Sequence, residues 1–256
     1  MNIEINQSYI YLEKFIREIP FRFEKEGTTL YSGRNQIKRF EVDGISLNVK
    51  RFRKPHLINR IAYSFFRKPK AFKAYHNAQK VISRGFETPI PVGYLIEQQQ
   101  GLVAYSYFVS LQQPSEGEIR EYWFSKGEGD DHNFLESFAS FSAQLHEASI
   151  LHLDYSPGNI LYVKESGGYR FSLVDINRMQ FRHVSLEEGA LNFCRLFEYD
   201  EAVEIVAARY AQERGFDIAL FTDRMLYHKR KFLIKDKRKD LRIAKRKAKE
   251  AQQKRQ

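Results

Sequence analysis

His152, Asp154, Asn159 and Asp175 lie in one stretch, HLDYSPGNILYVKESGGYRFSLVD. An Asp follows the His by two residues, an Asn follows that Asp by five, and a second Asp follows the Asn by sixteen. One carboxylate to receive a hydroxyl proton, with an amide and a second carboxylate to hold magnesium, is the set that phosphoryl transfer requires. Asp154 is therefore a candidate catalytic base, and Asn159 and Asp175 are candidate metal ligands. The intervening segments fit that use. Residues 160–163 and 171–174 are short apolar runs on either side of Gly167-Gly168, which is a hairpin signal. A hairpin returns Asn159 and Asp175 to one end, within reach of one ion. Asp, Ser, Pro, Gly and Asn also make ordinary turns, and a plain turn accounts for YSPGN. It leaves Asp175, directly after Phe-Ser-Leu-Val, without a structural task.

The elements that must position these groups are readable upstream and downstream. Residues 9–19 carry apolar positions at helical spacing, with Pro20 as the expected stop, and 21–31 read as extended. Residues 36–42 and 45–52 flank Asp43-Gly44, a pair that favours the positive φ of a tight hairpin turn. A basic helix is expected over 71–83, then strands over 93–96 and 102–108, then a loop over 112–131. Residues 133–146 place Phe134, Leu135, Phe138, Phe141 and Leu145 on one helical stripe, with Asp131 or Asn133 as the cap. Helices over 186–194, 202–211 and 216–227 complete a larger lobe.

Composition sets the outer limits. The 256 residues allow one domain or two small lobes, and 43% apolar with 14% aromatic residues is enough for a packed core. The single cysteine, Cys194 beside Phe193, permits no intrachain disulfide, reads as core, and points to a reducing, cytoplasmic compartment. The N-terminal residues, with early acids and no long apolar run, do not read as a secretory signal. The longest mostly apolar stretch, 102–109, is too short to span a bilayer. The net charge of +10 is concentrated at one end. Residues 228–256 hold fourteen Lys and Arg against Asp236, Asp240 and Glu250, which leaves 28 basic and 29 acidic residues in the rest. This basic run forms a helix with only a modest apolar stripe. It suits an anionic membrane face, nucleic-acid phosphates or plain solvent.

The catalytic-loop stretch resembles the loop and metal-binding turn of the protein-kinase-like superfamily. More narrowly, with GRNQIK, LNVKRF, RGFETPIPVGYLIE and LVDINRMQF, the chain is similar to the lipopolysaccharide kinase family over residues 30–196. Those bacterial enzymes phosphorylate Kdo or heptose of the lipid A inner core. The resemblance implies an α+β, two-lobed kinase-like fold with a small antiparallel β-sheet lobe and a mainly helical lobe. It implies 1–110 as the ATP-binding lobe, 111–228 as the catalytic lobe and 229–256 as a basic helical tail. ATP would bind between the lobes, with Lys50 gripping its phosphates and Gly33, Arg34 and Asn35 in the covering loop, although that loop holds a single glycine. His152 and His146 would be structural. The implied acceptor is a sugar of the lipid-linked inner core at the inner face of the cell membrane. That favours the membrane over nucleic acid as the partner of 229–256.

Two features depart from the kinase pattern. Such kinases carry a Glu on the helix after the lysine strand, to pair with that lysine. Residues 61–86 contain no Asp or Glu, which leaves His76, Asn77 and Gln79 as inward polar candidates, His76 foremost, or Glu87 from outside the helix. Leu153 replaces the Arg of regulated protein kinases, and Ile176-Asn177 follows Asp175 in place of Phe-Gly, so neither an activation-loop switch nor a protein-substrate platform is expected. Asn177, Arg178 and Arg182, just past the metal turn, are candidates to meet an acidic acceptor. Two other readings remain. Ser156 and the basic run are similar to atypical protein kinases of the RIO type, and the missing helix acid would suit a pseudokinase that binds ATP without turnover.

Overall fold

The computed structural model describes residues 1–253, with side chains described through residue 245. Residues 254–256, the end of the basic run, lie outside the described residues. Contacts divide the chain into two units. The first comprises Met1–Glu116, Leu161–Val163 and Phe171–Gln180, and the second Gly117–Ile160, Lys164–Arg170 and Phe181–Gln256.

The first unit is built on a six-stranded antiparallel sheet. Its strands are β1 (Asn2–Ile5), β2 (Thr28–Ser32), β3 (Gln36–Val42), β4 (Ile45–Phe52), β5 (Pro91–Gln99) and β6 (Leu102–Leu111), in the order β1-β5-β6-β4-β3-β2. The β3–β4 turn forms as the Asp43-Gly44 signal implies: Asp43 and Gly44 have φ of 50° and 76°, and Val42 faces Ile45. β1, which has no clear sequence signal, pairs along β5 at the sheet edge. Helix α1 (Glu13–Arg22) lays Phe15, Ile16 and Ile19 on Leu47, Val49, Leu95 and Val109, and Phe23 completes the contact.

Two expectations fail here. Pro20 lies inside α1 rather than ending it, and residues 21–22 are helical rather than extended. An interior proline costs about 3 kcal/mol through its missing N–H and its ring clash. Burying four large apolar side chains contributes about 1.5–3 kcal/mol each, so packing wins. The chain after Pro20 continues the ladder, with Phe23 N–H donating to Ile19 O at 2.8 Å.

Helices α2 (Leu57–Phe65) and α3 (Lys70–Ser83) follow β4. α3 buries Ala71, Ala74, Tyr75, Ala78 and Val81, an i, i+3, i+4 stripe. Leu47 and Val49 point into the α1 core. The two-residue period of a strand therefore turns Lys50 to the opposite face of β4.

The second unit is mainly helical. α4 (Asp130–Glu147), α5 (Leu186–Asn192), α6 (Asp200–Arg214) and α7 (Ile218–Gln253) bury Phe134, Leu135, Phe138, Val206, Tyr210 and Phe221. α4 starts at Gly129, with φ of 57° and no side-chain cap. Asp131 and Asn133 are thus inside the helix rather than capping it, and Asp130 and Asp131 meet the positive end of its dipole from the first turn. α5 carries a capping box between Ser185 and Glu188. The segment expected as loop contains β7 (Gly117–Glu118) and a 3-10 turn, Ile119–Tyr122. α7 runs unbroken from Ile218 into the basic run, where Lys229 is buried and 2.7 Å from Asp200. β8 (Ile150–His152) leads into the loop that bears Asp154. β9 (Ile160–Glu165) and β10 (Gly168–Leu173), whose residues are divided between the two units, are adjacent strands, as the Gly167-Gly168 signal implies, and β11 (Met179–Phe181), mostly of the first unit, follows the Asp175 turn. Among the described residues no helix is long and apolar enough to cross a membrane.

Candidate active site

In the first unit, Lys50 and Asp175 meet. The ammonium on β4 is 2.6 Å from Asp175 Oδ1, with both side chains largely shielded from solvent. Asp175 sits two residues past the end of β10 with φ of 53°, in the left-handed region. A non-glycine residue held there costs of order 1–3 kcal/mol and persists only where its surroundings hold it. They do: Asn177 Nδ2 donates to Asp175 Oδ1, and Asn77 Nδ2 on α3 donates to Ile176 O at 2.7 Å.

Lys50 thus pairs with the Asp175 carboxylate. The polar group that α3 sends to the Asp175 turn is Asn77, not His76. His76 turns to the sheet edge, 3.4 Å from Glu4 and in ring contact with Phe72 and Tyr94. Glu87 joins the turn through its backbone, with Leu173 N–H donating to Glu87 O at 2.9 Å, and its carboxylate accepts from Gln113 at 3.4 Å.

Further cations gather on the same side. Lys70 opens α3, and its pKa is lowered by burial first, then by Arg34, with Lys50 and Arg178 acting the same way and Asp175 opposing. Ammonium and guanidinium groups gathered around Lys70 in this way are a ready receptor for an anion of high charge. Gly33, Arg34 and Asn35 form the β2–β3 turn. Gly33 N–H closes it onto Asn35 O at 3.1 Å, and Asn35 Oδ1 accepts from Arg53 N–H at 3.3 Å. A Cβ at Gly33 would run into the Tyr31 ring.

In the second unit a different device holds Asp154. His152 is fully buried, and its Nδ1 accepts the Asp154 backbone N–H at 3.0 Å. His152 O accepts from Asn192 Nδ2 at 2.9 Å, and Asn192 Oδ1 lies 3.2 Å from His146 Nε2. His146 Nδ1 is 2.7 Å from the Tyr210 hydroxyl, which itself accepts from Arg214 at 3.0 Å. An amide oxygen only accepts, so His146 Nε2 carries the proton and Nδ1 accepts from Tyr210. Burial pushes His146 down to about 4, so the ring is neutral. Both histidines are structural, as expected. Asn159 Nδ2 donates to Asp154 O at 2.8 Å, so the loop uses its amide nitrogen. Asp154 Oδ1 accepts from Arg195 at 2.8 Å.

Magnesium takes one or two carboxylate or amide oxygens and completes its shell with phosphates and water. Asp175 and the amide oxygen of Asn159 are donors of that kind. Among the described residues no cluster of three or more His, Cys, Asp or Glu forms a site of another type. Lys70, Asn192 and Arg195 have no role in the sequence reading, and Asn77 enters it only as an inward polar candidate behind His76. Arg195 lies 41 residues from Asp154, and Asn77 lies 99 from Ile176, so no local spacing announces them. Arg182, a candidate for an acceptor, instead pairs with Glu188 at 2.5 Å on the surface.

The model of the "Lipopolysaccharide kinase (Kdo/WaaP) family" matches residues 22–212. No curated protein sequence matches the chain. Among solved structures, WaaP in complex with acyl carrier protein aligns at a TM-score of 0.62 and 16% identity, covering 90% of this chain and 98% of its own. The amicoumacin kinase hAmiN, in complex with AMP-PNP, Ca2+ and Ami, aligns at 0.54 and 11% identity, covering 87% and 85%. The fold is α+β and protein-kinase-like.

Proposed function

The chain belongs to the lipopolysaccharide kinase (Kdo/WaaP) family, and from that premise we infer how its residues divide the work of ATP-dependent phosphate transfer to a sugar hydroxyl. The observation that carries the reading is the 2.6 Å contact of Lys50 with Asp175. A strand lysine and a metal-turn carboxylate that meet without a helix acid keep the two charges a nucleotide phosphate and its cation require. The pseudokinase reading drew on that missing acid, and the Lys50–Asp175 pair supports the catalytic reading over it.

Lys50 orients the α- and β-phosphates. Arg34 and Lys70 add charge, and the backbone of the Gly33–Asn35 turn lies over the phosphates. Asn159 and Asp175 are the residues that would hold magnesium, which would neutralise charge on the transferring phosphate. Asp154 accepts the acceptor hydroxyl's hydrogen bond and then its proton. The transition state is loose, so proton removal comes late. Arg195 holds the carboxylate in place, and the His152–Asn192–His146 chain holds the backbone that carries it. Most of the acceleration comes from alignment and charge neutralisation. The AMP-PNP and Ca2+ named with hAmiN support a nucleotide with a divalent cation. The acceptor is a Kdo or heptose hydroxyl of the lipid-linked inner core, and the enzyme works at the inner face of the cell membrane with residues 229–256 against its anionic lipids.

The test is magnesium-dependent transfer from labelled ATP, with lipopolysaccharide core and a generic protein offered in parallel to wild type and Asp154→Ala. Label is expected in the glycolipid and absent with the variant. Label in protein alone would move the enzyme to the atypical protein kinases.

A further inference from the structure

Helix α2 faces the wrong way for a helix built to bury its apolar side. Leu57, Ile61 and Phe65 follow one another at four-residue spacing with Ile58 beside them, and Phe66 comes next. All five are exposed, between 41% and 83%. The polar side is the one fastened to the sheet. Arg60 donates to Val103 O and to Gln99 O, each at 2.9 Å, and Ser64 Oγ accepts from Val103 N–H at 2.9 Å. These bonds fix the rotation of the helix and hold its apolar arc in water.

Charge supplies the second observation. Residues 44–86 contain no Asp or Glu. Arg53 and His56 are exposed before the helix, and Arg67 and Lys68 are exposed after it. On its flank, Asn59 and Tyr63 line a cleft with Arg34, Lys54 and Lys70. An apolar arc with cations at both ends and no acid matches a surface of acyl chains under anionic headgroups. A second copy of this chain is a poor occupant, because it would bring like charges together.

We propose that α2 is a membrane-contact helix, inserting Leu57, Ile58, Ile61, Phe65 and Phe66 below the headgroups of an anionic phospholipid surface while Arg53, Arg67 and Lys68 engage the phosphates. The proposal is separate from the phosphotransfer reading and from residues 229–256. Its readout needs no ATP, so failure of either reading leaves the other testable.

The experiment is co-sedimentation of the full chain with phosphatidylcholine vesicles, with and without phosphatidylglycerol. Wild type, Ile58→Ser with Phe66→Ser, and Lys237→Gln with Lys239→Gln are compared. Binding to the anionic vesicles is expected to fall about tenfold or more for the α2 pair, since each side chain withdrawn from lipid forfeits a large apolar burial. The altered side chains are exposed, so the circular dichroism spectrum and melting temperature are expected to match wild type. A Phe66→Trp variant is expected to show added blue-shifted emission on anionic vesicles, relative to the Trp123 background of wild type. Vesicle binding indifferent to the α2 pair and lost only in the Lys237/Lys239 pair would overturn the proposal. So would a blue shift produced by an acidic carrier protein and not by vesicles, which would make α2 a protein interface.

Discussion

Lys50 and Asp154 are both charged, and both are held by an ion pair, yet their surroundings differ in kind. Lys50 belongs to a cluster of charges. Asp175 is at contact distance, and Arg34, Lys70 and Arg178 act on the same ground. Asp154 belongs to a hydrogen-bonded frame whose members His152, Asn192, His146 and Tyr210 are neutral and mostly buried, with Arg214 at the far end on Tyr210, and the cation beside Asp154, Arg195, is 42% exposed. A charge cluster is tuned for a ligand that brings its own charge. A neutral frame is tuned to keep a loop's shape whatever ligand is present. On the proposed roles, binding and positioning are separable, because they rest on interactions with different responses to substitution and pH.

Substitution of the two charged residues gives the largest contrast. Asp154→Asn is expected to lower kcat by about 10²–10⁴-fold with nucleotide affinity unchanged. Lys50→Met is expected to lower kcat by about 10²–10³-fold and also to weaken nucleotide binding. Steady-state kinetics with direct nucleotide titration separates the two, and identical profiles would erase the contrast.

The neutral frame carries the next effect. His146 titrates near 6.5 when unfolded and about 4 when folded, so the folded state resists its protonation. The stability it contributes is fully present above pH 6.5 and is lost as the pH falls from 6.5 towards 4, by roughly 3 kcal/mol. Denaturant unfolding at pH 7, 5.5 and 4 would show the slope, and His146→Gln is expected to flatten it. Asn192→Ala removes a donor to His152 O and the acceptor of the His146 Nε2–H, and is expected to cost about 2 kcal/mol of stability. The isosteric Asn192→Asp keeps the shape but loses the donor to His152 O, so a loss as large as that of Asn192→Ala would argue for hydrogen bonding, and little loss for shape. The smallest effect is expected from Arg195→Ala. The pair is partly exposed, so stability should change by no more than about 1 kcal/mol. A several-fold fall in kcat without a change in KM would identify Arg195 as a positioning residue.

Local signals in the sequence were faithful wherever a few adjacent residues decide the outcome. Asp43-Gly44 forms its hairpin turn, Gly167-Gly168 separates two adjacent strands, and the stripe through Phe134, Leu135, Phe138 and Leu145 is buried on α4. Signals failed where packing overrode them. Pro20 is helical because the apolar face around it gains more than the proline costs, and α4 begins without a side-chain cap. His76 was the favoured partner on its helix, but the helix's rotation sends Asn77 to the Asp175 turn and His76 towards Glu4. One residue on a helix is about 100° of direction, which no spacing argument could supply without the packing partner.

The order of Asp154, Asn159 and Asp175, the turns between them and the kinase-like succession of strands and helices were set by the sequence alone, because dihedral preferences and apolar periodicity act within a few residues. Tertiary structure alone decided that Lys50 would be answered by Asp175, that Arg195 and Asn192 would serve the Asp154 loop, and that α2 would turn its apolar side outward. Each of those outcomes depends on which distant face packs where, and that is settled by the summed burial of the core rather than by any neighbouring residue.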